Sequence, residues 1–340
     1  MTRCWRNLAA VVLASGMGSC RGLQTMLDPA ADQARDIDAV WRAMLVVCGV
    51  MYVLVLGFLM WALWRARRRS LAPEAPPMVG HSAAEPRLER GLAGWAALIV
   101  AGLIGLITVS FLVDRSLAEV GPDPVKVKVT AHQWWWQVEY QGLTPSQAVT
   151  TANELHLPLG RPAVVELQAR DVIHSFWVPN LAGKVDLIPG RTNYVALTPR
   201  RQGSFRGQCA EFCGLQHAKM AFDVEVESPQ AFDAWRSRQL TGAPPPAGPA
   251  EQHGQAVFNT KACALCHRVQ GTEAGGTTGP DLTHLMGRRR IAAGALPNSR
   301  GALQAWVADP QGVKPGTTMP RVALTAGELN DVVSYLETLR

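Results

Sequence analysis

Residues 209–220 read Cys-Ala-Glu-Phe-Cys-Gly-Leu-Gln-His-Ala-Lys-Met, and the rest of the chain is best read outward from them. Two thiols, an imidazole and a thioether so close together form a soft donor set, the kind that selects copper over magnesium or calcium. Upstream, His174 opens His-Ser-Phe-Trp-Val-Pro in a strand–turn setting and offers a second imidazole. A mononuclear blue-copper site takes one Cys, two His and a weak Met. Here Cys209 and Cys213 are both present, so each sulfur is able to bridge two metals. A Cys209–Cys213 disulfide and a Cys/His zinc site fit the same spacing. Neither uses Met220, and neither accounts for the apolar, aromatic surroundings.

The sequence on both sides of these donors is β-like. Val125, Val127 and Val129 alternate with Lys126, Lys128 and Thr130, which is strand periodicity. Short runs follow at Ala163–Gln168, Tyr194–Leu197 and Ala221–Val226, separated by turns such as Ile188-Pro189-Gly190. Residues 115–240 are therefore expected to form a sandwich or barrel of short strands, closed by a short helix over Pro229–Leu240. Thr241–Gln252 carries Pro244, Pro245, Pro246 and Pro249 among small residues and reads as a semi-rigid linker. Beyond it, Gly254–Ala264 and Ala326–Leu339 have helical apolar spacing around a Gly-rich middle, which predicts a small all-α domain over 253–340.

That second domain opens with Cys263-Ala264-Leu265-Cys266-His267, the C-x-x-C-H signature of covalent c-type haem. Two thioethers would anchor the porphyrin and His267 would be the proximal iron ligand. Redox and zinc C-x-x-C pairs are the competing readings of such a pentapeptide. Met319, in Lys-Pro-Gly-Thr-Thr-Met-Pro, lies in a proline-framed loop that resembles the methionine loop of class I cytochromes c, which makes it the expected sixth ligand. Met286 is expected in the core, and His284 at the surface or beside the haem carboxylates.

The N-terminal third has a different character. Ala43–Trp64 and Leu92–Val113 are uncharged apolar runs, each long enough to cross a hydrocarbon core as a helix. Arg65, Arg67, Arg68, Arg69, Arg87 and Arg90 lie between them, which puts that loop on the cytoplasmic side and everything after Asp114 outside. Residues 1–20 have the charged start, short apolar stretch and small-residue site of a secretory signal, with Cys20 as a candidate lipidated N-terminus. A hairpin over 21–114 results, at a bacterial plasma membrane. The net charge of +6 owes much to those membrane-flanking arginines, and no basic patch interleaved with aromatics appears elsewhere. Nucleic acid is excluded as a partner.

Three stretches carry a family resemblance: HQWWWQVEY (132–140), HSFWVPNLAGKVDLIPG (174–190) and GQCAEFCGLQHAKM (207–220). They resemble the signature stretches of cytochrome c oxidase subunit II. The order of hairpin, metal domain, proline linker and cytochrome domain resembles that subunit in the caa-type oxidases. The resemblance implies a cupredoxin Greek-key barrel holding a binuclear copper centre, CuA. It implies that Cys209 and Cys213 bridge the coppers, that His174 and His217 each bind one, and that Met220 and the Glu211 carbonyl are weak ligands. The Glu211 carboxylate would reach a magnesium shared with subunit I. Trp134 would be the point at which electrons reach the copper domain, while Trp135 is expected to pack into the barrel. Subunits I and III and membrane lipid are the implied neighbours, with a cytochrome c or a bc complex as donor. Electrons would pass through haem c and CuA to subunit I, where dioxygen is reduced to water with proton translocation. A CuA subunit of a haem–copper nitric-oxide reductase is the alternative, because the distinguishing residues lie in the partner chain.

Overall fold

The structure is a computed structural model that describes residues 22–69, 86–142 and 144–340. The signal segment and the lipid expected at Cys20 lie outside the described residues. Two long helices come first, α1 (Asp32–Arg69) and α2 (Pro86–Leu117). Residues Asp36–Glu119 form one compact unit, and the two helices are joined within it by the Ser116 hydroxyl donating to Asp36 at 2.9 Å. Over residues 43–64 and 92–113 both helices are apolar on every face: α2 buries no residue, and Val53, Phe58, Ile107 and Phe111 are all exposed. A helix hydrophobic all round is suited to lipid rather than to water. Both are long and apolar enough to span a membrane. At the end of α1, Arg68 stacks over Trp64 at 3.8 Å, an arrangement suited to an interface.

The second unit holds the remaining described residues. Its first part is a sandwich of two five-stranded sheets. One sheet has the order β3 (Val149–Ala152), β2 (Trp135–Tyr140), β1 (Val125–His132), β5 (Ala163–Ala169), β8 (Asn193–Leu197). The other has β4 (Glu154–Pro158), β10 (Ala221–Glu227), β9 (Gly203–Cys209), β6 (His174–Trp177), β7 (Val185–Leu187). Valine alternation fixes the register of β1: Val125, Val127, Val129 and Ala131 are buried, while the intervening residues are half or fully exposed. Most neighbours run antiparallel, but β1 pairs in parallel with β5 and β4 with β10. The expectation of a cupredoxin-like all-β domain holds. Trp136, Tyr140, Phe176, Leu181 and Phe222 fill the space between the sheets.

Ser228 caps helix α3 (Pro229–Gln239) by accepting from Ala231 N, and Pro229 at the first turn lacks an N–H that the helix would leave unpaired anyway. Its buried Phe232 and Trp235 close one end of the sandwich against Tyr140. Residues ahead of α1 and its first residue are stitched to the same domain. Buried Asn180 donates to the Gly22 and Asp28 carbonyls and accepts from Thr25 N, and Arg200 grips Asp32 at 2.7 Å.

The helical part follows: α4 (Pro249–Thr260), α5 (Cys263–Cys266), a two-stranded ribbon β11 (Arg290–Ile291) and β12 (Leu296–Pro297), α6 (Arg300–Ala308), α7 (Pro310–Val313) and α8 (Ala326–Thr338). Thr325 and Glu328 form a capping box at the start of α8. Gly254 lets α4 and α8 approach closely, since a Cβ there would overlap the Asp331 carbonyl. The proline segment is not a free tether. Ala243 N donates to Gln270 O at 2.8 Å, His284 Nε2 bonds Thr241 O, and Pro249 to Gln252 already belong to α4.

Candidate copper and haem sites

The loop between β9 and β10 carries most of the soft donors, and β6 brings His174 beside them through the Phe176–Cys209 pairing. Cys209 Sγ and Cys213 Sγ lie 3.7 Å apart as free thiols, which removes the disulfide reading. His174 Nδ1 is 3.8 Å from Cys209 Sγ, and His217 Nδ1 is 3.7 Å from Cys213 Sγ. Met220 Sδ stands 3.8 Å from Cys213 Sγ, and the Glu211 carbonyl 3.2 Å from Cys209 Sγ. Two sulfurs at the centre, one imidazole beside each, and one weak donor beside each fit a pair of copper ions better than one tetrahedral zinc. His174, Cys209, Cys213 and Met220 are buried, while His217 is half-buried beside exposed Phe212 and Leu215.

Electrostatics prepares the pair for cations. Their mutual hydrogen bond, with help from His174, holds the Cys209 thiol down to about 3 and drives the Cys213 thiol up. The two titrate as a unit, sharing one proton that an arriving cation displaces. Asp171 orients the first imidazole: its Oδ1 is 2.8 Å from His174 Nε2, so Nδ1 faces the sulfurs. The same carboxylate accepts from Val172 N and Gln133 N, both at 2.7 Å. Sequence reading missed Asp171, although a carboxylate three residues before a candidate ligand was a usable signal. The Glu211 side chain is part-exposed, with Lys184 Nζ at 3.2 Å.

Trp134 links the loop to the sheet, its Nε1 donating to the Cys213 carbonyl at 2.9 Å. The tryptophan triplet needs one correction. Trp136, not Trp135, enters the sandwich core, where it meets His174, Phe176 and Phe222 edge-on. Trp135 points the other way, stacks on His132 at 4.3 Å, and is covered by Ala293 of the helical part.

The helical part encloses a cavity with Cys263, Cys266 and His267 on its wall and Met319 also lining it. Phe258, Leu285, Leu303 and Leu336 give it an apolar interior. His267 Nδ1 donates to Pro280 O at 2.8 Å, which fixes the tautomer and leaves Nε2 with its lone pair. Burial lowers the pKa of this imidazole and keeps it neutral, as a metal ligand must be. A Cβ at Gly279 would lie 2.9 Å from His267 Cε1, so the ring is closely seated. These residues fit an iron porphyrin. Met286 packs against the core as expected. His284 is neither at the surface nor on the cavity wall: it is buried and bonds the Arg340 and Thr241 carbonyls, pinning the chain end and the proline segment.

Trp134 and Trp135 also line this cavity, because the helical part is bonded to the sandwich beside the copper loop. Ala221 N donates to Ala293 O at 3.0 Å, Lys219 Nζ to Val313 O at 2.8 Å, and Thr318 Oγ1 to Gln133 O at 3.2 Å. Gln216, next to His217, donates to the Pro315 carbonyl, and Arg289 pairs with Glu225 at 2.8 Å.

Comparison with known proteins matches both domains to families. Residues 143–227 match the family of the cytochrome c oxidase subunit II periplasmic domain, and residues 251–340 match the cytochrome c family. The chain is 33% identical over 324 residues to a cytochrome c oxidase subunit 2 of Alkalihalophilus pseudofirmus, covering 93% of this chain and 91% of that one. It is 33% identical over 266 residues to the corresponding protein of Bacillus sp. strain PS3, covering 72% and 73%. A crystal structure of the periplasmic domain of subunit II of cytochrome oxidase of Bradyrhizobium japonicum aligns with a TM-score of 0.33 and 28% identity, over 36% of this chain and 96% of that one.

Proposed function

The chain belongs to the cytochrome c oxidase subunit II family, the part of a haem–copper oxidase at which electrons arrive, and from that premise we propose how its residues carry them. Its two matched families imply CuA copper and haem c. Cys209 and Cys213 would hold the copper pair together with His174 and His217, each through Nδ1, while Met220 Sδ and the Glu211 carbonyl would complete the donor set. Cys263 and Cys266 would attach the haem, and His267 Nε2 and Met319 Sδ would be its protein donors. The convergence of four donor atoms on one pair of sulfurs, at 3.2 to 3.8 Å between neighbours, is the observation that carries the copper assignment. When bound, the haem and the copper pair supply one-electron chemistry.

The chain's own residues make that chemistry fast and clean. Burial and the Asp171 bond hold His174 in one position, so the donor set need not rearrange when the charge changes. Two neighbours for each sulfur and the burial of Cys209, Cys213 and Met220 leave little room for substrate, which suits transfer of electrons rather than bond making. Trp134 lies between the two sites, on the haem cavity wall and bonded to the Cys213 carbonyl, and serves as the link across which the electron reaches the copper domain. A cytochrome c or a bc complex supplies electrons at the helical domain, and subunit I, with subunit III beside it, receives them and reduces dioxygen. The Glu211 carboxylate, near the surface with Lys184, is the side chain that would meet a magnesium shared with subunit I. Two membrane spans, at 43–64 and 92–113, hold the domains over 115–240 and 253–340 on the outer side.

Metal and haem analysis of the purified oxidase tests this reading. Two coppers and one covalent haem on this chain are expected, with a spectrum in which one unpaired electron is shared by both coppers. One copper, or zinc, in the fully loaded chain overturns it. Consumption of oxygen, rather than nitric oxide, by the same preparation is the expected turnover.

A further inference from the structure

An ammonium group taken out of water without a counter-charge costs several kcal/mol, so lysine is almost never fully buried unpaired. Lys314 is 2% exposed. It lines the haem cavity, just ahead of the Met319 loop, and its Nζ donates to two backbone carbonyls, Trp134 at 3.1 Å and Ala292 at 3.2 Å. The first carbonyl belongs to the sandwich and the second to the turn between β11 and β12. An ammonium has three donors. Among the described residues no carboxylate oxygen lies within 4.0 Å of this one. Burial, then repulsion from Lys219, pull its pKa down to about 8. Carbonyl dipoles satisfy two of the donors but do not neutralise the charge, and the residue lines the cavity.

A haem bound through Cys263, Cys266 and His267 brings two carboxylates into the helical domain as part of its own structure. On that reading, we propose that the Lys314 ammonium is shared between the Trp134 carbonyl and a haem carboxylate, which makes Lys314 the positioning residue that fixes the copper domain against the haem. One side chain would then set two properties together: the docking of the sandwich, and the electrostatic balance between oxidised and reduced haem. A lysine that merely tied the two backbones together would set only the first.

The test reads both properties in the intact oxidase carrying Lys314→Met, after its haem and copper contents are shown to be native. Docking is read from hydrogen exchange of the Ala221 amide, which donates to Ala293 O across the same face at 3.0 Å. Haem balance is read by equilibration with a redox mediator. Loss of the ammonium should speed Ala221 exchange by at least about tenfold and shift the equilibrium toward oxidised haem by about tenfold, since a buried cation favours the reduced form. Lys261→Met is the control, because that lysine sits at the surface with Glu328 at 3.3 Å and should move neither reading. Either reading staying within about twofold of native in Lys314→Met overturns the sharing. Should that variant fail to assemble, Lys314→Gln keeps N–H donors without the charge. There, a shifted haem equilibrium with Ala221 still protected supports the proposal, and an unshifted equilibrium overturns it. A native chain lacking haem or copper would instead sink the functional reading beneath it, so the two failures are distinguishable.

Discussion

His156 sits on β4 with its ring stacked on Trp235 at 4.0 Å and 11°, and with carboxylates on both sides, Glu154 at 3.5 Å and Glu227 at 3.2 Å. Burial pulls the pKa of this imidazole down, but the hydrogen bonds and charges of the two carboxylates outweigh burial and carry it from 6.5 to about 9. The folded state therefore holds the proton more tightly than the unfolded chain. The resulting stability is fully present below pH 6.5 and is lost as the pH rises through 9. The size of the shift corresponds to about 3 kcal/mol. The double variant His156→Phe with Glu154→Gln keeps an aromatic ring on Trp235 and removes both the imidazole and the buried acid beside it. Denaturant unfolding of the sandwich, followed by circular dichroism at about pH 6 and about pH 10, should show native protein losing about 3 kcal/mol more than the variant across that range. An equal loss in both, or a native His156 ring that titrates below pH 7 by nuclear magnetic resonance, would refute the assignment of a charged imidazole to this site.

Serine at Cys209 or at Cys213 should remove both coppers if, as proposed, each sulfur serves both metals, and metal analysis that still finds two would contradict the bridge. Met220→Leu should keep both coppers and alter the spectrum, since the thioether is a weak ligand. Met319→Ala should leave the haem attached at Cys263 and Cys266 yet lower its potential, as read by mediator titration; an unchanged potential would remove Met319 from the iron. Trp134→Ala should slow transfer between haem and copper by at least about tenfold at native cofactor content, measured by flash photolysis, because it empties the space between cavity and copper loop.

The cluster of soft side chains was legible because five of the six candidate residues lie in one short loop, where spacing alone brings them together. The haem was legible for the same reason. The β class followed from valine alternation at β1, and helices α4 and α8 from apolar spacing. The phase of β2 was not legible. Three successive tryptophans carry no alternation, so Trp135 and Trp136 could be assigned only once Val138 and Tyr140 were seen buried on the same side as Trp136. Trp135 is buried by a different partner altogether, Ala293, which no local pattern reveals. The proline segment read as a semi-rigid linker, and its docking was not legible: the Thr241 carbonyl and the Ala243 N–H are bonded to distant residues. Lys314 escaped for the same physical reason: its partners are backbone carbonyls, which leave no mark in a sequence.

The central claim is that electrons reach the copper domain from the haem docked against Trp134, and rapid mixing of the intact oxidase with its reduced native donor tests it most directly. Reduction followed at the haem c and copper absorption bands should appear at the haem first and at copper second. Removal of residues 241–340 should leave copper content intact while turnover with that donor collapses. Copper reduced ahead of the haem, or native turnover unchanged by the truncation, would contradict the account.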